Sequence, residues 1–159
     1  MYTRELKNPP AQIIVDGKPQ FGTYSSAPAT MDIRGVKHPF RVLPMPTFIT
    51  NLRIRCSIST MIVTEEYVGS LYILDARFFS YSELIFWKRK TGQKYSYRHV
   101  SGIRRRVVPK NLENALCTIR AKKRYIKIKW DRKKKLYSIL FNLTGDKYRP
   151  SFSGSLLVE

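Results

Sequence analysis

The sequence predicts an all-β protein: an antiparallel meander or lipocalin-like barrel, complete or incomplete, behind an irregular amino-terminal segment. Three observations carry this expectation. From residue 50 onward apolar residues recur at every second position, turn-forming residues break that pattern at short intervals, and no segment sustains a 3.6-residue period. Aromatic residues make up 13% of the chain, which also favours strands.

The elements follow in order. Residues 1–50 are punctuated by Pro9, Pro10, Gly17, Pro19, Gly22, Pro28, Gly35, Pro39, Pro44 and Pro46, so they read as looping chain with one short strand at Gln12–Val15. PMPTF is excluded from a helix interior, because each proline removes a donor and crowds the preceding turn. The β domain is then expected over 51–159. In NLRIRCSIST, Leu52, Ile54, Cys56 and Ile58 alternate with Arg53, Arg55, Ser57 and Ser59, the pattern of a half-buried strand. VGSLYILDARFF (68–79) is apolar on both faces and reads as one strand covered on both sides. LIFWKRKTGQKYSY (84–97) reads as a hairpin around Arg89-Lys90-Thr91-Gly92, with Gly92 at positive φ in a type I turn with a bulge. IRRRVVP (103–109) is a short strand stopped by Pro109. NLENALCTIR (111–120) is consistent with one helical turn or a strand entry. In YIKIKW, Ile126, Ile128 and Trp130 alternate with Tyr125, Lys127 and Lys129; DRKKK turns the chain, LYSILFNL (136–143) returns, and Gly145-Asp146 marks a further turn. Six to eight short strands joined by tight turns give a meander, barrel or sandwich.

With 159 residues the chain fits one ordinary domain with a real core. MYTRELKNPP offers no apolar signal region and no apolar run approaches the ~18 residues of a membrane span, so a cytoplasmic location is expected. Cys56 and Cys117 form no CxxC pair and read as reduced thiols; with His38 and His99 scattered, neither a metal nor any other cofactor is expected.

The formal charge of +19 is concentrated. Residues 88–135 hold nineteen Lys and Arg against two Asp and Glu, whereas the preceding 87 residues are nearly balanced. Such a block suits RNA, DNA or an anionic membrane surface, with Arg104, Arg105, Arg106, Lys127 and Lys129 as the candidate contacts. Strand alternation also accounts for Lys127 and Lys129 as the wet face of a sheet, and the lysine-rich turn as protection against edge aggregation. No RNA-recognition sheet, zinc finger or helix-turn-helix pattern accompanies the block, so nucleic acid is the less favoured partner.

Several stretches carry a resemblance: DIRG (32–35), EYVGSLYILDARFF (66–79), ELIFWKRKTGQKYSYR (83–98), RRVVP (105–109) and KKRYIKIKWDRKKKLYSILFNLTGDKYRPS (122–151). They resemble a bacterial family of uncharacterised proteins, catalogued as domain of unknown function 2804, over the front half of a typical member. That family is in turn more distantly similar to the lipocalin-like barrels of carotenoid hydratases. The resemblance implies strands around an apolar or semi-polar cavity and a small lipophilic ligand. It brings no established activity. It also implies absent later strands, so self-association or a partner supplying strands is expected.

Candidate chemistry centres on Asp75, which falls inside an apolar run two residues before Arg77. On one strand face the two would form an ion pair, or Asp75 would act as a cavity acid in a lyase or isomerase working on a lipid-like substrate. Asp75, Arg77, Trp87 and Trp130 form the candidate ligand-binding set. Asp32 and Arg34 read as a turn brace, and Glu83 as a surface acid. No nucleophile elbow, phosphate loop or dinucleotide fingerprint is present.

Overall fold

The structure is a computed structural model and describes residues 4–37, 45–102 and 107–158. The expected all-β fold is present. The described residues of the amino-terminal segment contain four two-residue strands. β1 (Leu6–Lys7) runs parallel to β4 (Thr23–Tyr24), and β2 (Ile14–Val15) pairs with β3 (Lys18–Pro19). The β2–β3 turn is Asp16-Gly17, with φ of 52° and 80°, the two positive values that a type I′ turn requires. The short strand expected at Gln12–Val15 is reduced to β2; Gln12 itself bridges Thr30.

A six-residue helix, α1 (Thr47–Leu52), follows Pro46. The alternation of NLRIRCSIST had placed a strand there. Instead the backbone N–H groups of Ile49 and Thr50 donate to the Pro46 carbonyl, and the strand starts four residues after Leu52. Proline is excluded from a helix interior but tolerated at its start. The expected domain boundary at residue 50 therefore lies inside α1.

Among the described residues, eight longer strands then form two antiparallel meanders. The first comprises β5 (Cys56–Val63), β6 (Tyr67–Asp75), β7 (Ser80–Lys88) and β8 (Lys94–Ser101), in that spatial order. The second comprises β9 (Asn114–Ala121), β10 (Arg124–Asp131), β11 (Leu136–Leu143) and β12 (Phe152–Val158), also in sequence order. The sheets are not closed into a barrel. Strands β5, β8, β9 and β12 are the sheet edges.

The inner faces supply one core: Leu71, Ile73, Leu84, Phe86 and Tyr97 from the first sheet, Cys117, Ile119, Ile126, Ile128, Ile139, Phe141 and Leu143 from the second. The interior between the sheets is thus filled by side chains. Phe152 of β12 is its aromatic hub. Its ring stacks on Phe86 with centroids 4.7 Å apart and meets Tyr67 edge-on at 5.2 Å. The Tyr97 hydroxyl donates to the Pro150 carbonyl, and Arg149 Nη1 donates to the Ser96 carbonyl at 2.9 Å, so the β11–β12 loop is fastened to β8.

Turn chemistry accounts for most connections. At the β7–β8 hairpin Gly92 has φ of 68°, its N–H donates to Lys88 O at 2.8 Å, and Lys88 N–H donates to Gln93 O. This is the expected type I turn with a bulge. The 68–79 run is not one strand. β6 ends at Asp75, and Arg77 at φ 66° turns the chain into β7, leaving Phe78 and Phe79 exposed. Nor is β6 buried on both faces: Leu71 and Ile73 are fully buried, but Val68, Tyr72 and Leu74 on the other face are only half-buried. For 111–120 the structure selects a strand, β9, after Asn111 Oδ1 accepts the Glu113 N–H in a local turn.

Both thiols are shielded. Burial, with Asp75 nearby, pushes the Cys117 thiol up to about 12, and burial followed by Asp75 raises Cys56 as well. We expect Cys117 to resist a disulfide reagent at pH 8 in folded protein, with Cys56 reacting slowly, and both to react at once in denaturant, since the thiolate is the nucleophile. Fast labelling of Cys117 in native protein would contradict the packing of β9.

Candidate functional site

The sequence left a brace, a cavity acid and two tryptophans to be placed. The brace is real. The Arg34 backbone N–H and Nε both donate to Asp32 Oδ1, at 3.2 and 2.8 Å, and Lys110 Nζ pairs with Asp32 Oδ2. Met31 N–H donates to Lys110 O at 3.0 Å and Leu112 N–H to Ala29 O at 2.8 Å. Together these bonds strap the amino-terminal segment onto the connection between the sheets.

Burial pushes the Asp32 carboxyl up, but hydrogen bonds from Arg34 and Lys110 outweigh it and hold the group below its ordinary value of 3.8. Folded Asp32 therefore binds a proton less readily than unfolded Asp32. Its contribution to stability is complete above that ordinary value and is lost as pH falls through the lower folded value. Glu83, with Arg98 Nε at 2.6 Å, is depressed likewise despite its burial, and has the same sign. The denaturation midpoint is expected to drop as pH falls below about 4, with Asp32→Asn showing a shallower drop; equal slopes in both proteins would remove Asp32 from this role.

Asp75 does not pair with the Arg77 side chain along a strand. Its Oδ1 accepts the Arg77 backbone N–H at 3.1 Å, and its Oδ2 accepts the N–H groups of Val107 and Val108 at 2.8 and 3.3 Å. The strand ends at Asp75, so the carboxylate is turned to backbone donors in the turn and the inter-sheet connection. Trp87 lies on the outer face of β7, with Lys94 Nζ 5.5 Å from its ring centre. Trp130 is on the inner face of β10, packed against the core. Asp75, Arg77, Trp87 and Trp130 therefore do not meet in one site.

Trp130 instead lines a groove of about 570 Å³ at one end of the sandwich. Ile58, Leu112, Trp130, Leu136 and Tyr137 are its apolar and aromatic lining; Ser59, Thr60, Asp131, Arg132 and Lys135 are its polar lining, with Ala27 beside them. Local pairing explains the arrangement. Trp130 and Tyr137 are cross-strand partners on the β10–β11 hairpin, whose tip carries Arg132 and Lys135. Across the groove, Thr60 Oγ1 of the edge strand β5 lies 2.8 Å from the Tyr137 hydroxyl, joining the two sheets. Arg132 Nη1 donates to Ala27 O at 2.9 Å and fixes the strap above the groove. Asp131 Oδ1 accepts the Lys134 N–H, a turn contact. The groove thus combines an aromatic and aliphatic lining, two hydroxyls and the Lys135 ammonium. This mixture of apolar walls and few polar groups suits small-molecule binding.

Of these residues the sequence singled out Trp130 alone. Thr60 and Tyr137 are 77 residues apart, and nothing local links them. Lys135 carried no distinct signal either, being one of several lysines in the DRKKK turn; its positive φ of 52° is visible only in the structure.

The cationic candidates separate. Lys127 and Lys129 lie on the outer face of β10, opposite Ile126, Ile128 and Trp130, as alternation requires. Arg104, Arg105 and Arg106, with His38, lie outside the described residues. His99 Nε2 is 3.0 Å from Ser101 Oγ on β8. Among the described residues no cluster of His, Cys, Asp and Glu is grouped to hold a metal, and no helix is long and apolar enough to cross a membrane. No family model, curated protein or solved structure matches the chain.

Proposed function

We propose that the protein binds a small lipophilic ligand with an anionic head in the groove at Trp130. One observation supports this: Ile58 of the first sheet and Trp130 and Tyr137 of the second line one groove together with Lys135 and the Thr60–Tyr137 hydroxyl pair. An acyl chain would lie against the indole and Ile58, with its carboxylate toward Lys135. The filled core between the sheets favours this end groove over a central barrel cavity. The lyase or isomerase alternative needs an acid facing the ligand. Asp75 is not among the groove's lining residues and is engaged by three backbone N–H groups, and the acid that does line the groove, Asp131, accepts the Lys134 N–H within its own turn, which favours binding over catalysis.

The test uses Trp87→Phe, which leaves Trp130 as the sole indole. Titration with a medium-chain carboxylate should shift Trp130 emission, whereas the alcohol of equal length should bind more weakly. Lys135→Gly should lower carboxylate affinity about fivefold, the scale of an exposed ion pair, without loss of stability, because glycine accepts φ 52° freely. Native mass spectrometry of protein from its own host should show retained lipid. An unresponsive Trp130 together with a ligand-free mass spectrum would overturn the proposal.

A further inference from the structure

The second sheet has an outer face that the groove does not use. Its cross-strand rows are Thr118–Lys127–Leu140–Ser155 and Leu116–Lys129–Ser138–Leu157, followed on one side by Arg120–Tyr125. Leu116, Leu140 and Leu157 are 51%, 42% and 59% exposed. Lys122 and Lys123 stand exposed at one end of β10, and Lys133 and Lys134 at the other. Residues 114–143 hold ten Lys and Arg against Asp131 alone, and Asp131 accepts the Lys134 N–H. Eight residues of β10 span about 26 Å and four strands about 19 Å, so the face is a broad cationic sheet studded with leucines.

We propose that this face docks on an anionic lipid surface. Charge is the first argument: lysines at the centre and both ends match a plane of phosphates, and each basic residue near such a surface is worth about a fivefold change in affinity. Chemistry is the second. The apolar side chains between the lysines are aliphatic, able to enter the headgroup region while lysine stems reach outward around them. A single-stranded nucleic acid would need free aromatic faces for its bases. The one aromatic here, Tyr125, already has the Arg120 guanidinium 5.4 Å from its ring centre. The outer face of the first sheet makes the contrast: its central charge, Glu83, is paired with Arg98. The inference stands apart from the groove, although a lipid surface would be a natural source for a lipophilic ligand.

Sedimentation with vesicles tests it, using phosphatidylcholine alone and phosphatidylcholine with about a third replaced by phosphatidylserine, beside a single-stranded oligonucleotide at equal salt. Binding is expected to the anionic vesicles only and to weaken as salt rises. Lys127→Gln with Lys129→Gln should weaken it about thirtyfold, and Leu140→Ser with Leu157→Ser should weaken it with the salt slope unchanged. The charge-matched control Lys18→Gln with Lys90→Gln should bind as the parent does. Melting curves of all variants exclude loss of fold as the cause. Equal loss in the control, equal binding to neutral vesicles, no vesicle binding, or a tighter lysine-dependent complex with the oligonucleotide would each overturn the proposal.

Discussion

Phe86→Ala is expected to cost about 3–5 kcal/mol, enough to leave the protein largely unfolded if its total stability lies near the lower end for such domains. Phe86 is 4% exposed and sits where the sheets meet. Its ring stacks on Phe152, tilts against Phe141 at 5.7 Å, and meets Tyr67 edge-on at 6.3 Å. It also lies over Gly69 of β6, which has no Cβ to fill a void left beneath it. Truncation would remove partners from four residues on three other strands, and the aromatic hub has no neighbour free to slide in. Urea denaturation followed by far-ultraviolet circular dichroism measures the effect. A shift of the midpoint equivalent to under about 1 kcal/mol would show that the core collapses around the gap, and the hub would then be less important than its geometry indicates.

Gly145→Ala is expected to cost about 1–3 kcal/mol or more, although it adds one methyl group. Gly145 does not need positive φ; it needs space. A Cβ there would stand 2.6 Å from Pro150 C and 2.7 Å from Ser151 N, with the Arg149 carbonyl closer still. Those atoms are backbone, so no side chain can rotate away. The neighbouring bonds tie the loop shut: Gly145 N–H donates to Ser151 Oγ at 2.9 Å and Asp146 N–H to Arg149 O at 2.8 Å. Opening the loop would pull Pro150 from the Tyr97 hydroxyl and displace Phe152. We expect a lower thermal midpoint and faster proteolysis around residue 150. Ser151→Ala, which removes one hydrogen bond without any clash, should have a smaller effect; equal losses would shift the explanation from space to hydrogen bonding.

The sequence revealed those features whose causes are local. Alternation placed Ile126, Ile128 and Trp130 opposite Lys127 and Lys129, and Gly92 identified its own turn. It misled where a neighbour decides the outcome. The 68–79 run looked continuous because Ala76, Phe78 and Phe79 are apolar enough to extend it, yet Asp75 uses its carboxylate to hold residues 107 and 108 and to start a turn at Arg77. Leu52 matched the strand alternation but belongs to a helix that begins after Pro46. The groove was the least legible feature. Its lining joins Ile58, Leu112, Trp130 and Tyr137, and only the packing of two sheets brings them together. Trp130 was identifiable for its side chain; its partners are ordinary residues given a role by position.

The order of the strands also carries a kinetic consequence. Each long strand pairs with its neighbour in sequence, so either meander can zip up through short loops at microsecond hairpin speeds. The contacts that unite them are distant: Phe86 awaits Phe152, Thr60 awaits Tyr137, and Tyr97 awaits Pro150. Until the second meander arrives, the first holds its buried face open to water. Closure of long loops comes late and slowly. The vulnerable species in the life of this chain is therefore a half-assembled one, with Leu71, Leu84 and Phe86 uncovered, and slowing the last strand would prolong its exposure to aggregation without altering a single contact in the finished molecule.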